Sequence, residues 1–333
     1  MNRWLLDIIV CPVCKEEFSL EEQEEDKNKE DISKGKIICN SCDRLYPITN
    51  GIPRFVAIDD DYCENFGYQW TKFCRTQIDK FSGSTESKDR FESETGWDSR
   101  VLNNKLVLDA GCGAGRFSDV ALQFGARLIA VDVSGSVDAC KKNLEELGYD
   151  TNQYQIIQVS IYDLPFRPNT FDYIYSIGVI QHTPDRKGSI MSLSKLLNHG
   201  QLALWVYEKS WRSLIGYKYW FRIATRQLSQ ESTWKLSLLL VKVFFPFAWY
   251  LAKVPRIGRY LVRLLPMAYR SPGPNGTKQQ SEEWSLLDTF DNLSPRYDNP
   301  ITESELKRWL KDANLPLIER RTTPGLAIVA SNE

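Results

Sequence analysis

The chain has 333 residues, which is long enough to bury a sizeable core and favours two domains. Its 42 basic and 43 acidic residues nearly cancel, and the net charge of −1 gives no overall field that would attract DNA or another polyanion. Residues 4–10 are too short and too acid-interrupted for a secretory signal, so we expect a cytoplasmic chain.

Four of the eight cysteines form two C-x-x-C pairs near the start of the chain, Cys11 with Cys14 and Cys39 with Cys42. Two such pairs can complete the tetrahedral shell of one Zn²⁺, and four thiolates leave no open position for catalysis. A redox or disulfide role is the alternative, but a catalytic C-x-x-C needs no matching second pair. The spacing predicts a structural zinc site in a reducing compartment.

Residues 1–57 resemble the zinc-ribbon activator subunit of tRNA and release-factor methyltransferases. The resemblance rests on LLDIIVCPVC at residues 5–14 and LYPITNGIP at residues 45–53. It implies a small ribbon domain that covers apolar surface of a catalytic domain, here within the same chain. The acidic stretch at residues 16–31 reads as a solvated hairpin without a function of its own.

The centre of the chain is residues 106–132, where an apolar run enters a glycine-rich turn, a helix-period segment follows, and a second apolar run ends at Asp132. This order is the nucleotide-binding half of a doubly wound sheet. Glycines let a ligand approach the backbone closely, and the acid at the strand tip can accept hydrogen bonds from ribose hydroxyls. A tight turn without a ligand is the alternative.

The turn has G-x-G-x-G spacing, with Arg116 where a dinucleotide fingerprint has its third glycine, and Asp109 stands two residues before the first glycine. It resembles motif I of the class I S-adenosylmethionine (SAM) methyltransferases. The resemblance implies that the methionine end of SAM lies on the turn and that the ribose lies at the second strand. The implied cofactor residues are Asp109, Gly111, Cys112, Gly113, Gly115, Asp132 and Val133.

The resemblance extends to segments on both sides of this unit. Residues 58–99 are a linker with an aromatic stretch, and the family often folds this segment over the cofactor, which makes Tyr68 and Trp70 lid residues for substrate. SIYDLPF at residues 160–166 resembles the adenine-binding stretch, with Ser160 where an acid is usual and Ile161 behind the base. A packed helix before the sheet is the alternative for Tyr68 and Trp70.

The next strand carries Ser176 and leads into GVIQHTPD at residues 178–185. This resembles the family's strand end that lines the cleft between SAM and acceptor, so Ser176 and Gln181 are expected there. His182 can take a proton from a hydroxyl acceptor, which makes it the candidate general base. A packing role for this histidine is equally compatible with the sequence.

Residues 209–270 hold twelve Lys or Arg residues, one acid and many Trp, Tyr and Phe residues. This composition is typical of a segment that lies on a membrane surface. Residues 236–252 are apolar but short for a span and contain Lys242 and Pro246. A helical cap on the catalytic domain is the first alternative, and an RNA surface, which no RNA-binding module pattern supports, is the second.

A loop at residues 291–298, DNLSPRYD, resembles one that precedes the last helix of related small-molecule methyltransferases, which makes Arg296 and Tyr297 candidates for acceptor binding. A structural turn is the alternative. Thr302 begins a capping box for a final helix, and two short apolar runs complete seven strands.

The sequence thus predicts an α/β protein, with a seven-stranded Rossmann-like methyltransferase sheet, a small N-terminal zinc ribbon and a helical insert. The expected segments are ribbon 1–57, linker and lid 58–99, SAM-binding core 100–207, insert 208–290 and core completion 291–333. The expected activity is methyl transfer from SAM to a small molecule, hydrophobic or lipid-linked, such as a polyprenyl-linked sugar or quinone precursor. A tRNA or protein acceptor, or an inactive SAM-fold subunit that binds a partner, are the alternatives.

Overall fold

The structure is a computed structural model that describes residues 1–23, 30–56, 73–209, 217–272 and 276–332. Two sheets organise the chain. The first contains strands β1 Phe18–Glu22, β2 Gly35–Cys39, β3 Leu45–Thr49 and β4 Ile52–Pro53. The second contains β5 Leu106–Ala110, β6 Arg127–Asp132, β7 Tyr154–Gln158, β8 Phe171–Ile177, β9 Leu197–Val206, β10 Leu317–Arg321 and β11 Leu326–Ser331.

The helices fall into a group around the large sheet and a group in the insert. Around the sheet lie α1 Asp79–Ser82, α2 Glu86–Thr95, α3 Ser99–Leu102, α4 Arg116–Gln123, α5 Ser136–Leu147, α6 Arg186–Ser194 and α11 Glu303–Asp312. The insert contributes α7 Tyr217–Thr225, α8 Gln230–Leu251, α9 Gly258–Val262 and α10 Lys278–Leu293.

The large sheet has the strand order β10-β11-β9-β8-β5-β6-β7. Its strands β5 to β9 run parallel, whereas β11 pairs antiparallel with both β9 and β10. The order reverses between β5 and β8, and ligands bind outside the carboxyl ends of strands at such a switch point. The predicted seven-stranded α/β fold is confirmed.

Alternate residues of the central strands face two apolar layers, as a sheet covered on both sides requires. Val107 of β5 packs in one layer with α2, α4 and α5, and its neighbour Leu108 packs in the other with α6 and α11. The helices therefore lie on both faces, which leaves the carboxyl edge of the strands for the site.

The N-terminal ribbon sits on the β7 edge of the large sheet and shares its core. Leu5 and Ile9 are buried in the same apolar layer as the sheet, and the Val10 amide donates to the carbonyl of Pro165 at 2.9 Å. The Phe55 amide donates to the carbonyl of Gln158 at 2.8 Å, which continues backbone pairing beyond the last strand. An edge strand that would otherwise present unpaired backbone groups is thereby covered.

The insert packs as a layer of its own. One face of α8 lies along α10, where Trp234 meets Phe290 at a ring-centroid distance of 5.6 Å and Phe245 is buried with Val241 and Met267. Among the described residues α8 alone has the length and composition of a membrane span, and that criterion alone is weak evidence because core helices also meet it.

The segment expected to be a linker, residues 58–99, contains α2, a ten-residue helix that buries Phe91 and Glu94. A helix with so few apolar residues gives no periodic signal. Strand β9 runs from Leu197 to Val206 and includes His199, which has a φ of 50°.

Candidate functional site

The four cysteines of the two C-x-x-C pairs converge at one point of the ribbon. Their sulfur atoms all lie within 4.8 Å of one another, with Cys11 to Cys42 at 3.7 Å and Cys14 to Cys42 at 3.6 Å. Four sulfurs about 2.3 Å from a tetrahedral Zn²⁺ would be about 3.8 Å apart. The residues present therefore fit a structural zinc ion.

The two knuckles that carry these cysteines have the same backbone conformation. The Lys15 amide donates to the Cys11 carbonyl at 2.9 Å, and the Asp43 amide donates to the Cys39 carbonyl at 3.2 Å. Lys15 and Asp43 each follow the second cysteine of a pair and each have positive φ, 64° and 55°. Matching turns aim both pairs at one centre.

The glycine-rich turn after β5 is held against the ends of its neighbouring strands. The amides of Gly111 and Cys112 both donate to the Val131 carbonyl of β6, at 2.8 and 3.0 Å. A Cβ at Gly111, where φ is 95°, would lie 2.3 Å from a methyl carbon of Val179. Only glycine fits there, because both the backbone conformation and the space exclude a side chain.

A cavity of about 680 Å³ opens at this turn, at the carboxyl ends of β5, β6 and β8. Its volume is in the range of small-molecule and cofactor sites. The predicted site residues on its wall are Gly111, Cys112, Gly113, Asp132, Val133, Ile161 and His182. The structure thus brings the glycine turn, the acid of the second strand and the candidate base to one cavity.

Asp132 stands at the tip of β6 with its carboxylate fixed by neighbouring groups. Oδ2 accepts the Gly113 amide at 3.0 Å, and Oδ1 accepts the amide and hydroxyl of Ser134 at 2.9 and 2.8 Å. Each carboxylate oxygen has two lone-pair sites, so one acceptor site remains, on Oδ2, for a hydroxyl of a ligand. The acid is therefore oriented before a ligand arrives.

Asp109 is buried on β5 and is not on the cavity wall. Its Oδ2 accepts a hydrogen bond from the Ser118 hydroxyl at 2.7 Å. Burial raises the pKa of the Asp109 carboxyl to about 7, and the Ser118 hydroxyl opposes that rise. A carboxylate in this position is destabilised unless a cation comes close.

Other predicted site residues lie away from the wall of the cavity. Ser176 donates its hydroxyl to the Ala110 carbonyl at 2.8 Å, and Ser160 accepts the Tyr162 amide at 3.3 Å. Gly115 supports close packing, since a Cβ there would lie 2.9 Å from the Cys140 sulfur. Gln181 is fully buried, Arg296 is exposed, and neither contributes to the wall. Tyr68 and Trp70 lie outside the described residues.

His182 is on the wall, in a turn of 3₁₀ helix after β8, and its ring is oriented by the 291–298 loop. Its Nδ1 lies 2.9 Å from the Tyr297 carbonyl, which accepts a hydrogen, so the proton is on Nδ1 and the lone pair is on Nε2. Burial lowers the pKa of His182, so the ring is neutral near pH 7. Tyr297 thus acts through its backbone, and its side chain is not on the wall.

The cavity wall also contains aromatic and charged residues that the sequence did not indicate as site residues. The aromatic members are Phe117, Trp205, Tyr207 and Tyr219, and the charged members include Arg90, Arg116, Arg270, Lys218, Asp288 and Asp291. The Tyr207 hydroxyl donates to Asp291 at 3.0 Å, and the Arg90 guanidinium stacks 4.5 Å above the Trp205 ring. Several of these wall residues belong to the insert, so their place in the cavity depends on how the insert packs on the sheet.

Asp298 connects the insert to this wall and was also missed. It is fully buried and forms an ion pair with the Lys218 ammonium at 2.5 Å, with the Arg222 guanidinium 3.9 Å away. Arg222 also donates to the Pro295 carbonyl at 2.8 Å. No local pattern could have indicated this pairing, because the partners are about 80 residues apart.

The zinc fit predicts that chelation unfolds the ribbon. We expect a chelator with a thiol reductant, or Cys39→Ser, to lower the midpoint of thermal unfolding of the whole chain, because the ribbon shares its core with the sheet. Cys74→Ser is the matched control and leaves the midpoint unchanged. One equivalent of zinc by elemental analysis is expected in the wild type, and retention of zinc after Cys39→Ser would contradict the four-sulfur site.

The buried carboxyl of Asp109 predicts a pH-dependent stability. Its pKa of about 7 lies above the value of 3.8 for a free carboxyl, so the folded chain binds the proton more tightly and loses stability as pH rises from about 4 to about 7. Asp109→Asn removes this loss, and we expect it to be more stable than wild type above pH 7 by up to about 4 kcal/mol. Urea unfolding at several pH values, with the exposed Asp163→Asn as control, measures this; a pH-independent difference would contradict it.

Comparison with known sequences finds a similar family for each of two segments. A methyltransferase-domain family matches residues 108–204, and the Trm112p-like protein family matches residues 2–51. An uncharacterized protein of Synechococcus sp. is 32% identical over 226 residues, which cover 65% of this chain and 48% of that protein. A ubiquinone biosynthesis O-methyltransferase of Coxiella burnetii is 33% identical over 101 residues, 30% of this chain and 42% of that enzyme. The chain spans about half the length of the curated relatives it matches.

Two of the solved structures to which the chain is similar are the following. Magnesium protoporphyrin IX methyltransferase from Synechocystis with bound SAH has a TM-score of 0.44 and 17% identity, over 82% of this chain and 97% of that one. A complex that contains the Haloferax volcanii Trm112 methyltransferase activator has a TM-score of 0.41 and 14% identity, over 76% and 96%. The two family matches thus show that residues 108–204 are similar to a methyltransferase domain and that residues 2–51 are similar to Trm112p-like proteins.

Proposed function

We propose that this chain is a SAM-dependent methyltransferase that acts on a small-molecule acceptor. The observation that carries the proposal is the shared cavity, whose wall combines a glycine turn and a fixed acid at the strand ends with aromatic and charged side chains. The methyltransferase-domain match supports the donor, and the cavity volume supports a small acceptor beside it.

The residues on the glycine side fit SAM. The backbone at Gly111 and Gly113 allows close approach, since a Cβ at Gly111 would clash with Val179. Asp132 would hold a ribose hydroxyl, Val133 and Ile161 would flank the adenine, and SAM would supply the methyl group as a sulfonium. Buried Asp109 would lie behind the turn and favour the cationic donor through its charge.

Methyl transfer from a sulfonium needs in-line alignment of acceptor and methyl group more than it needs acid or base. For a hydroxyl acceptor, His182 is the base that we propose. Its Nδ1 hydrogen is engaged by the Tyr297 carbonyl, so Nε2 carries the lone pair that can take the hydroxyl proton. The neighbouring Tyr207 ring, at a centroid distance of 5.4 Å, restricts the orientation of the imidazole.

The aromatic and charged side chains of the cavity favour an acceptor with a flat apolar part and a polar group. Trp205, Tyr207 and Tyr219 provide aromatic surface, while Arg270 and Asp291 provide charges next to it. A quinone precursor or a polyprenyl-linked sugar has this character, and relatives named for ubiquinone biosynthesis are consistent with it. We propose a cytoplasmic protein that reaches a lipid-linked acceptor by peripheral contact of residues 209–270 with the inner face of a membrane.

A tRNA or protein acceptor is the second candidate, and the Trm112p-like domain is the observation that favours it. A SAM-fold subunit that binds a partner without catalysis is the third. Incubation of the chain with tritiated-methyl SAM and host lipid, small-molecule, RNA and protein fractions separates them. Label in lipid or small molecules supports the proposal, label in RNA or protein supports the second candidate, and SAM binding without any label supports the third.

The proposed donor site predicts a specific loss of affinity in Asp132→Ala. A charge-assisted hydrogen bond to the ribose is lost, so we expect S-adenosylhomocysteine to bind at least about tenfold more weakly by isothermal titration. Asp163→Ala, which removes an exposed acid, is the control and keeps wild-type affinity. If the wild type binds neither SAM nor S-adenosylhomocysteine, the proposed activity is wrong.

The proposed base predicts a distinct pH profile. His182→Gln is expected to lower kcat by about a hundredfold or more on the labelled acceptor, with little change in KM for SAM. In the wild type, kcat falls as pH drops below a pKa that lies under the ordinary 6.5, because burial disfavours the charged ring. This acidic limb is absent in His182→Gln. A variant with wild-type kcat would show that His182 only packs.

A further inference from the structure

We infer that the outward face of α8, together with the basic segment that follows it, docks on a membrane surface rich in anionic lipid. The inference deepens the proposed function and rests on it, because the docked surface would bring the cavity to a lipid-linked acceptor. Its evidence is the surface of the insert alone. Here the outward face of α8 means Leu238, Leu239, Val243, Phe247 and Tyr250.

These five side chains are all exposed, with Leu239 at 59% and Phe247 at 61% of their full accessible area. Leu239, Val243 and Phe247 are spaced by four residues, so they form one row along the helix. Isolated apolar side chains on a protein surface are ordinary, whereas a row of large ones on one helix marks a surface that another apolar phase covers.

Exposure continues after the helix ends. Val254, Ile257, Tyr260 and Leu264 are exposed, and Leu264 retains 79% of its accessible area. Basic residues alternate with them at Lys253, Arg256, Arg259 and Arg263, all of which are exposed. Basic side chains interleaved with apolar and aromatic ones are suited to the boundary between headgroups and acyl chains.

Cations also sit on the aromatic rings of this segment. The Lys253 ammonium lies 4.7 Å from the centre of the Trp249 ring, and the Arg259 guanidinium lies 4.8 Å from that of Tyr260. Such side chains can keep their charge at the level of lipid phosphates while their apolar parts contact the hydrocarbon. Lys242 extends the positive charge onto the outward face of α8.

The charge of the insert identifies the occupant as anionic lipid. Residues 209–270 contain twelve basic residues and one acid, a net charge of +11, against thirty basic and forty-two acidic residues, a net charge of −12, in the rest of the chain. Some of these cations serve the fold: Lys218 and Arg222 lie against buried Asp298, Arg270 lies 3.8 Å from Asp288, and Lys235 is paired with the single acid, Glu231, at 2.7 Å. Among the described residues, the cations left exposed on this surface are Arg226, Lys242, Lys253, Arg256, Arg259 and Arg263. Basic clusters beside a helix that contacts a membrane are attracted to its anionic leaflet.

The opposite face of α8 shows that the helix lies on the membrane and does not cross it. Leu240, Val241 and Phe245 on that face are buried within the chain, and the Ser237 hydroxyl donates to the Thr233 carbonyl at 2.8 Å. A span would have to leave the contact with α10 and expose one whole side to lipid. At 22 residues, or about 33 Å, the helix instead offers a long strip parallel to the surface.

Vesicle co-sedimentation of the full chain with bound zinc tests the inference. The probes are vesicles of phosphatidylcholine alone and vesicles of phosphatidylcholine with phosphatidylglycerol. We expect the wild type to sediment with the anionic vesicles and to be released by high salt, since the attraction is screened. Binding equal on both kinds of vesicle would overturn the anionic assignment, and binding to neither would overturn docking.

Two variants separate the apolar and charged contributions. Leu239→Gln with Val243→Gln and Phe247→Gln is expected to weaken partition by more than about tenfold, and so is Lys242→Glu with Arg259→Glu. The controls replace equally exposed residues elsewhere, Leu45→Gln with Leu317→Gln and Lys195→Glu with Arg308→Glu, and keep wild-type partition. Equal loss in the controls would overturn the assigned surface.

Two further readouts complete the test. S-adenosylhomocysteine titration of every variant reports folding and the donor site, so lipid binding without nucleoside binding leaves the docking surface standing and removes the proposed activity. Light scattering after size exclusion reports self-association. A wild-type dimer that the triple Gln variant converts to monomer, without lipid binding by either, would assign the face to a second copy and overturn the inference.

Discussion

The close approach of the glycine turn to its two neighbouring strands is the constraint on which the site depends. Gly111 and Cys112 share the Val131 carbonyl of β6, and Gly111 presses against Val179 beyond β8. The ends of β5 and β6 are therefore fixed to each other by backbone hydrogen bonds, and the Val179 side chain beyond β8 packs against the turn. This contact therefore helps to position Asp132 at the end of β6 and His182 beyond β8. A side chain at Gly111 would displace both of these residues.

The part of this arrangement that sequence could predict is the part encoded locally. The strand–turn–helix–strand unit at residues 106–132 could be predicted from its apolar runs and its glycine turn, and the final helix from the capping box at Thr302. Each of these signals lies within a few residues. The four cysteines were equally readable, since metal-ligand spacing is local within each pair and the chemistry demands that the pairs meet. Both predictions needed no knowledge of the tertiary fold.

What sequence could not predict depends on contacts between distant segments. The loop at residues 291–298 was expected to offer Arg296 and Tyr297 as side chains, but the structure uses the Tyr297 carbonyl and the buried Asp298. The Lys218 ammonium compensates the buried charge of Asp298, and nothing in the local sequence links these two residues. Arg90 was missed for a related reason, because the helix that carries it has little apolar periodicity.

A helical cap and a membrane-facing segment do not exclude each other, because they concern opposite faces of the same helix. Amino-acid composition shows which residues are present but not which face each one lies on. Phe245 packs inward while Phe247, two residues later, points outward. Burial on one face positions the wall of the cavity, and exposure on the other leaves a surface available to a partner, so a single helix accommodates both.

The inner side of the insert is in turn connected to the proposed base. Helix α7 places Lys218 and Arg222 on Asp298 and the Pro295 carbonyl, and the same loop presents the Tyr297 carbonyl that fixes the His182 tautomer. Because the Lys218 ammonium also lies 4.3 Å from the centre of the Tyr207 ring, one cation contacts both the loop and the aromatic wall. The orientation of the imidazole therefore depends on residues that the common methyltransferase sheet does not provide, which ties the chemistry of this chain to its own insert.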